Sequence, residues 1–232
     1  MTPLKTGKIC VSIAGHDLAM TLASAKEAES LADVLEIRLD AMADPAVQPF
    51  LDSINKPLLF TNRAKWEGGA FNGEEKSRLA LLYEATEKGA AYIDLELKTD
   101  PGLRQDLIKT AKGKCRSIIS WHSFKVTPSR QALNSILQEQ YRTSADIGKI
   151  VTMAHNFSDV LQVLDLQREA LEMGFPLIAF CMGRAGIISR VATLELGGFM
   201  TYAAQDSTNS TAPGQLPVSS LRNILAGLAD AH

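Results

Sequence analysis

Lys149 stands in Asp146-Ile-Gly-Lys-Ile-Val-Thr-Met-Ala154, a run that otherwise reads as a buried β-strand. Burial strips an ammonium of its hydration and disfavours the charged form. The free amine can then attack a ketone and form a Schiff base. The preceding strand-like run, Cys115-Arg-Ser-Ile-Ile-Ser-Trp-His122, ends in a histidine. A candidate nucleophile and a candidate general base therefore lie on successive strands.

The elements that must position them alternate along the chain. Short apolar runs fall at Ile9–Ala14, Val34–Leu39, Leu58–Asn62, Tyr92–Leu97, Ser117–Trp121, Ile147–Met153, Leu177–Met182 and Phe199–Ala204. Helix-like segments lie between them, among them Glu74–Lys88, Leu103–Lys112, Ser129–Thr143 and Ser158–Met173, and Ser219–Ala229 ends the series. Lys88-Gly89 and Met173-Gly174 read as helix ends, and Ser158 and Asp206 as capping or turn residues. Eight such alternations predict a single-domain (βα)8 TIM barrel over residues 1–232. The rival, a doubly wound open sheet, favours a Gly-rich phosphate turn after the first strand, and Ala14-Gly15-His16-Asp17 is not one.

Period two then sorts the polar residues. Val34, Glu36 and Arg38 share one face of the second strand, Ile118, Ser120 and His122 one face of the fifth, and Ile147, Lys149 and Val151 one face of the sixth. Adjacent strands lie about 4.8 Å apart, so one small molecule can meet both His122 and Lys149. Arg63 ends the third strand, and Ser12 and Met182 are further candidates for the barrel mouth. Each has a structural alternative. Lys149 can pair with a carboxylate such as Glu96, Glu36 and Arg38 can neutralise charges on other strands, and Arg190 can be a solvated helix residue. Several polar groups converging at one end of a barrel is nevertheless the pattern of a binding site.

Composition narrows the class. The 232 residues are 46% hydrophobic with a net charge of −2, which fits a globular protein and offers no basic cluster for nucleic acid. No apolar stretch approaches the roughly 18–20 residues of a membrane span, and Ile9–Gly15 is too short for a leader. Cys10, Cys115 and Cys181 are scattered and read as buried thiols, so a cytoplasmic setting is expected. No His/Cys/Asp/Glu cluster has metal-ligand spacing, and neither metal nor organic cofactor is expected.

The residues reached so far also carry a resemblance. Lys8-Ile-Cys-Val-Ser-Ile13, Leu35-Glu-Ile-Arg-Leu-Asp40, Thr61-Asn-Arg-Ala-Lys-Trp-Glu-Gly-Gly69, Ser120-Trp-His-Ser-Phe124 with Thr127-Pro128, Gly148-Lys-Ile150, Gly186-Ile-Ile-Ser-Arg190 and Ala212-Pro-Gly-Gln215 follow in order. Together they resemble the type I 3-dehydroquinate dehydratases of the shikimate pathway, nearly end to end. The resemblance implies a lyase that converts 3-dehydroquinate to 3-dehydroshikimate by syn elimination. Lys149 would be the Schiff-base amine, His122 the acid–base group and Glu67 the holder of its tautomer. Ser12, Glu36, Arg38, Arg63, Met182, Arg190, Thr211 and Gln215 would bind substrate, with Arg190 on its carboxylate. A homodimer is expected on the same ground. The family includes fusions to shikimate dehydrogenase. Two departures stand out: Thr211 replaces the usual serine, and Phe180 a frequent methionine. The alternatives are a Schiff-base (class I) aldolase, which calls for a phosphate cradle where Gly183-Arg-Ala-Gly186 is only a faint candidate, and a non-catalytic barrel that binds a small carboxylate.

Overall fold

The computed structural model describes residues 7–208 and 211–230. Its strands are β1 (Lys8–Ile13), β2 (Val34–Arg38), β3 (Leu58–Thr61), β4 (Tyr92–Glu96), β5 (Arg116–Ser123), β6 (Ile147–Met153), β7 (Leu177–Met182) and β8 (Met200–Ala203). Between and after them run α1 (Leu18–Ala28), α2 (Gln48–Ser53), α3 (Glu75–Glu87), α4 (Pro101–Ala111), α5 (Arg130–Arg142), α6 (Phe157–Leu164), α7 (Leu166–Glu172), α8 (Ile187–Glu195) and α9 (Val218–Ala229). All strand pairs are parallel, in the order β7-β6-β5-β4-β3-β2-β1-β8. The β1–β8 pairing, Lys8 opposite Met200 through Val11 opposite Ala203, curls the sheet round. The Phe199 N–H donates to the Leu177 carbonyl (2.8 Å) where β7 and β8 approach, so the barrel is nearly closed. The fold is the (βα)8 barrel, and the open-sheet alternative is excluded.

Local chemistry accounts for the helix starts. Asp100 caps α4 by accepting from the N–H groups of Gly102 and Leu103, with Pro101 at the first helical position. Asn156 and Asp159 form a reciprocal capping box at α6. The cap expected at Ser158 therefore sits two residues earlier, because Asn156 has the extended backbone and the oxygen that a cap needs. The single helix expected over Ser158–Met173 is divided at Asp165, whose N–H reaches the carbonyls of both Leu161 and Val163 and tightens the turn. Gly89 (φ +94°) and Gly174 (φ +63°) end α3 and α7 as read from the sequence, and Asp206 is a turn residue that accepts from the Thr208 N–H.

Two apolar layers hold these elements. Outward-facing strand residues such as Ile9, Val11, Leu35, Ile37, Ile93 and Ile119 pack against the helices. Cys10, Val34, Leu59, Tyr92, Ile118, Ile147, Ile178 and Met200, one from each strand, fill the barrel interior. Two residues further along the same strands come Ser12, Glu36, Thr61, Asp94, Ser120, Lys149, Phe180 and Tyr202. Strand alternation turns these to the same side. An apolar plug thus supports a buried and largely polar belt near the C-terminal ends of the strands, the end at which barrels of this kind carry their sites.

Candidate active site

Lys149 lies in this belt, 4% exposed. Its Nζ donates to Asp94 Oδ2 at 3.0 Å, lies 3.9 Å from Glu36 Oε1, and sits 4.0 Å from the centre of the Tyr202 ring. The carboxylate partner is therefore Asp94 on β4, a correction to the pairing with Glu96 considered from sequence. Glu96 is already held by two arginines, Arg63 (2.9 Å) and Arg78 (2.6 Å). Arg63 also reaches Asp94 Oδ1 (2.7 Å) and Ser120 Oγ (2.7 Å). Burial alone would raise the Asp94 pKa, but Arg63 and Lys149 outweigh it and hold the carboxyl well below the usual range.

His122 is one step up β5 from Ser120, which the β5–β6 register sets beside Lys149. Its Nδ1 lies 2.9 Å from Glu67 Oε1. Glu67 belongs to a short 3-10 turn, Lys65–Glu67, that follows β3 and ends at Gly68 in the left-handed region. Burial pushes the Glu67 carboxyl up to about 8. Burial, with Arg63 and Lys149 nearby, drives His122 well below the ordinary imidazole value. His122 is therefore neutral at physiological pH and can act as a base.

One pocket gathers Lys149, His122, Glu67, Glu36, Arg38, Arg63, Met182, Arg190, Thr211 and Gln215, ten of the eleven residues expected from sequence. The exception is Ser12, which lines an adjoining opening and donates to Glu36. Arg38 makes a two-pronged pair with Asp40 (2.9 and 2.7 Å), so the cross-strand pairing considered for it is replaced by a local one. Glu36 accepts from Ser12 and Thr61 hydroxyls. Arg190 is not a solvated helix residue: it is 1% exposed, with its guanidinium 4.5 Å from the centre of the Phe180 ring. Phe180, expected to alter packing near the amine, packs on Arg190 and against the Tyr202 ring. Arg190 donates to the carbonyls of Tyr202 and Pro213 (3.2 Å each) but has no carboxylate partner among the described residues. Burial lowers it to about 10, which leaves it charged at neutral pH. A buried cation that faces a cavity with no carboxylate partner has the chemistry to pair with an anion. The Thr211 hydroxyl and N–H both donate to Gln215 Oε1, tying the loop ends together. Among the described residues no group of three or more His, Cys, Asp or Glu side chains is placed to hold a metal ion.

Sequence reasoning missed Asp94, Phe124 and Tyr202 as members of this site. For two of them the signal was present: Asp94 and Tyr202 alternate with Ile93, Leu95 and Thr201 as Lys149 does with its neighbours. Phe124 lies past the regular strand, where period two gives no guidance.

Residues 9–230 match the sequence pattern of the family described as Type I 3-dehydroquinase. The chain belongs to that family. Across it, the chain is 44% identical over 220 residues to a 3-dehydroquinate dehydratase of Desulfotalea psychrophila, covering 94% of this chain and 97% of the relative. It is 34% identical to a bifunctional chloroplastic 3-dehydroquinate dehydratase/shikimate dehydrogenase of Arabidopsis thaliana, of whose length it covers 36%. Among solved structures, the type I 3-dehydroquinate dehydratase of Clostridium difficile, determined with covalently modified comenic acid, superposes with a TM-score of 0.89 at 29% identity, over 98% of this chain and 94% of that one.

Proposed function

We propose that the protein dehydrates 3-dehydroquinate to 3-dehydroshikimate, with Lys149 as the Schiff-base nucleophile and His122 as the acid–base group. The observation that carries this reading is one pocket in which a buried amine, a neutral histidine and an unpaired guanidinium converge. Lys149, after shedding its ammonium proton, attacks the ring ketone, and return of that proton to the carbinolamine hydroxyl lets water leave and gives a protonated imine. That imine is a stronger electron sink than the ketone and acidifies the neighbouring C–H. His122 takes this proton, and an enamine forms. The enamine expels the hydroxyl on the next carbon, and His122 returns the proton so that water leaves. One base serving both steps makes the elimination syn. Hydrolysis of the conjugated imine then releases product and restores Lys149.

Glu67 acts through His122: as it ionises toward its pKa of about 8 it accepts the Nδ1–H and leaves the Nε2 lone pair for substrate, so kcat should rise with pH over that range. Glu67→Gln should therefore lower kcat, and unchanged turnover would end this assignment. Arg190 holds the substrate carboxylate in a planar fork. Glu36 and Arg38 orient the hydroxyls, with Arg63 contributing beside the contacts it already makes, and Ser12 acts through Glu36. Met182 forms an apolar wall, and the Thr211–Gln215 loop covers the ring.

The test is intact-mass spectrometry with 3-dehydroquinate and borohydride, followed by peptide mapping. A reduced adduct on Lys149 is expected, and Lys149→Ala should lose the adduct and several orders of magnitude of turnover. Product formation without any adduct would exclude the covalent route. The same reading places the enzyme in the shikimate pathway. It includes a cytoplasmic setting, supported by three free, buried thiols. It also includes a homodimer, supported by an exposed apolar patch on α6, α8 and α9 built from Phe157, Leu161, Ile188 and Ile224.

A further inference from the structure

His122 is fixed on its edge by Glu67, but a single hydrogen bond leaves the imidazole plane free to tilt. The contact on its face comes from Phe124. The two ring centres lie 5.8 Å apart with only 14° between planes, an offset stack. Phe124 is 42% exposed and lines the pocket, so it belongs to neither apolar layer of the fold. Its position is set by Gly68. A Cβ built on Gly68 would lie 2.3 Å from the Phe124 ring, and the backbone there has φ +78°. Gly68 thus meets two demands at once, a left-handed turn and a surface flat enough for an aromatic ring. It directly follows Glu67.

We propose that Phe124 is a positioning residue for His122: the Glu67-Gly68 turn clamps the imidazole on its edge through a carboxylate and on its face through this ring. The proposal rests on the reading of His122 as the acid–base group. A proton moved between substrate and Nε2 in both directions requires the imidazole plane to stay aligned with the breaking bond, and a misplacement of about 1 Å costs on the order of 10²-fold. The face contact also excludes water. The charged groups acting on His122 are Glu67 from the turn, Arg63 at the end of β3, Lys149 on β6, Asp94 on β4 and Arg38 on β2.

The test is Phe124→Ala, with Phe124→Tyr as the conservative variant. Two readouts are taken: steady-state kinetics, and the NMR titration of the His122 imidazole in the free protein. The alanine variant should fold, since the ring is half-exposed. It should lose roughly 10–100-fold in kcat with KM changed much less. Its His122 titration should move up by about one pH unit as water reaches the face. The tyrosine variant, which keeps the ring, should restore both. Wild-type kcat in Phe124→Ala, or a lower kcat with an unmoved His122 titration, would overturn the proposal. A His122→Ala variant with normal turnover would instead refute the acid–base reading, while the NMR titration would still report on the clamp.

Discussion

Arg190 is a buried guanidinium with two backbone carbonyls for company and no carboxylate among the described residues. A native structure retains such a charge at a cost to stability. Replacing it should separate function from folding. Arg190→Met should raise KM by about 10²–10³-fold, the loss of a two-pronged charge-assisted contact worth roughly 3–4 kcal/mol, while the melting temperature holds or rises. Steady-state kinetics beside a thermal melt decides this, and a variant with unchanged KM would remove Arg190 from the substrate site. Glu67 gives a second separation. Its folded pKa, about 8, lies above the unfolded value of 4.5 because burial disfavours the carboxylate. Its contribution to stability is therefore fully present below about pH 4.5 and is lost as pH rises through 8. Glu67→Gln removes the titration, so the wild type should fall relative to this variant between pH 5 and 9, by a difference on the order of 3 kcal/mol. Denaturant melts at both pH values measure it; parallel stability profiles would mean that Glu67 is ionised throughout. Residue chemistry located Lys149 and His122 in the sequence because each is an anomaly in an apolar strand. Asp94 escaped because Asp94 and Glu96 share one face of β4 in the sequence, and only the arginines that hold Glu96 leave Asp94 as the partner of Lys149.

Period two carries most of what the elements reveal. Each strand places an apolar residue in the barrel plug and the next inward residue in the belt, so Glu36, Ser120 and Lys149 are legible as inward-facing from the sequence. Helix ends were legible where glycine marks them, at Gly89 and Gly174, whereas α4, expected from Leu103, begins two residues earlier at Pro101. The division at Asp165 was not, because the apolar spacing of Val160, Leu161, Leu164 and Leu171 runs on across it. The closeness of β6 to α5 was also hidden. A Cβ on Gly148 would lie 2.7 Å from Phe175 Cε1 and 2.8 Å from Gln140 Oε1, while Gln140 Nε2 donates to the carbonyl of Lys149 at 2.8 Å. Gly148→Ala should therefore destabilise the fold by about 1–3 kcal/mol through overpacking. It should also lower kcat, because the strand segment displaced is the one that carries the amine. A melt and a rate measured on the same preparation test this; unchanged values of both would show that α5 yields at no cost.

At the scale of the molecule, one chain of ion pairs runs from the helical layer to the amine. Arg78 on α3 pairs with Glu96, Glu96 with Arg63, Arg63 with Asp94, and Asp94 with Lys149. The site is thus braced by the barrel itself. The apolar patch lies elsewhere. Phe157 is 73% exposed, Leu161 68% and Ile188 53%, and Phe157, Ile188 and Ile224 border one surface groove. Exposed side chains of this size, contiguous across three helices, match the core of a subunit interface. If two copies bury this face against each other, a charge placed in it is buried without a partner, which disfavours association strongly. Ile188→Glu should therefore sediment as a single chain at concentrations where the wild type sediments as two. Its kcat per chain should stay within a few-fold, since Ile188 points away from the pocket that holds Arg190 two residues on. A wild type that sediments as one chain at tens of micromolar would end the dimer reading. A dimeric Ile188→Glu would move the interface to another face.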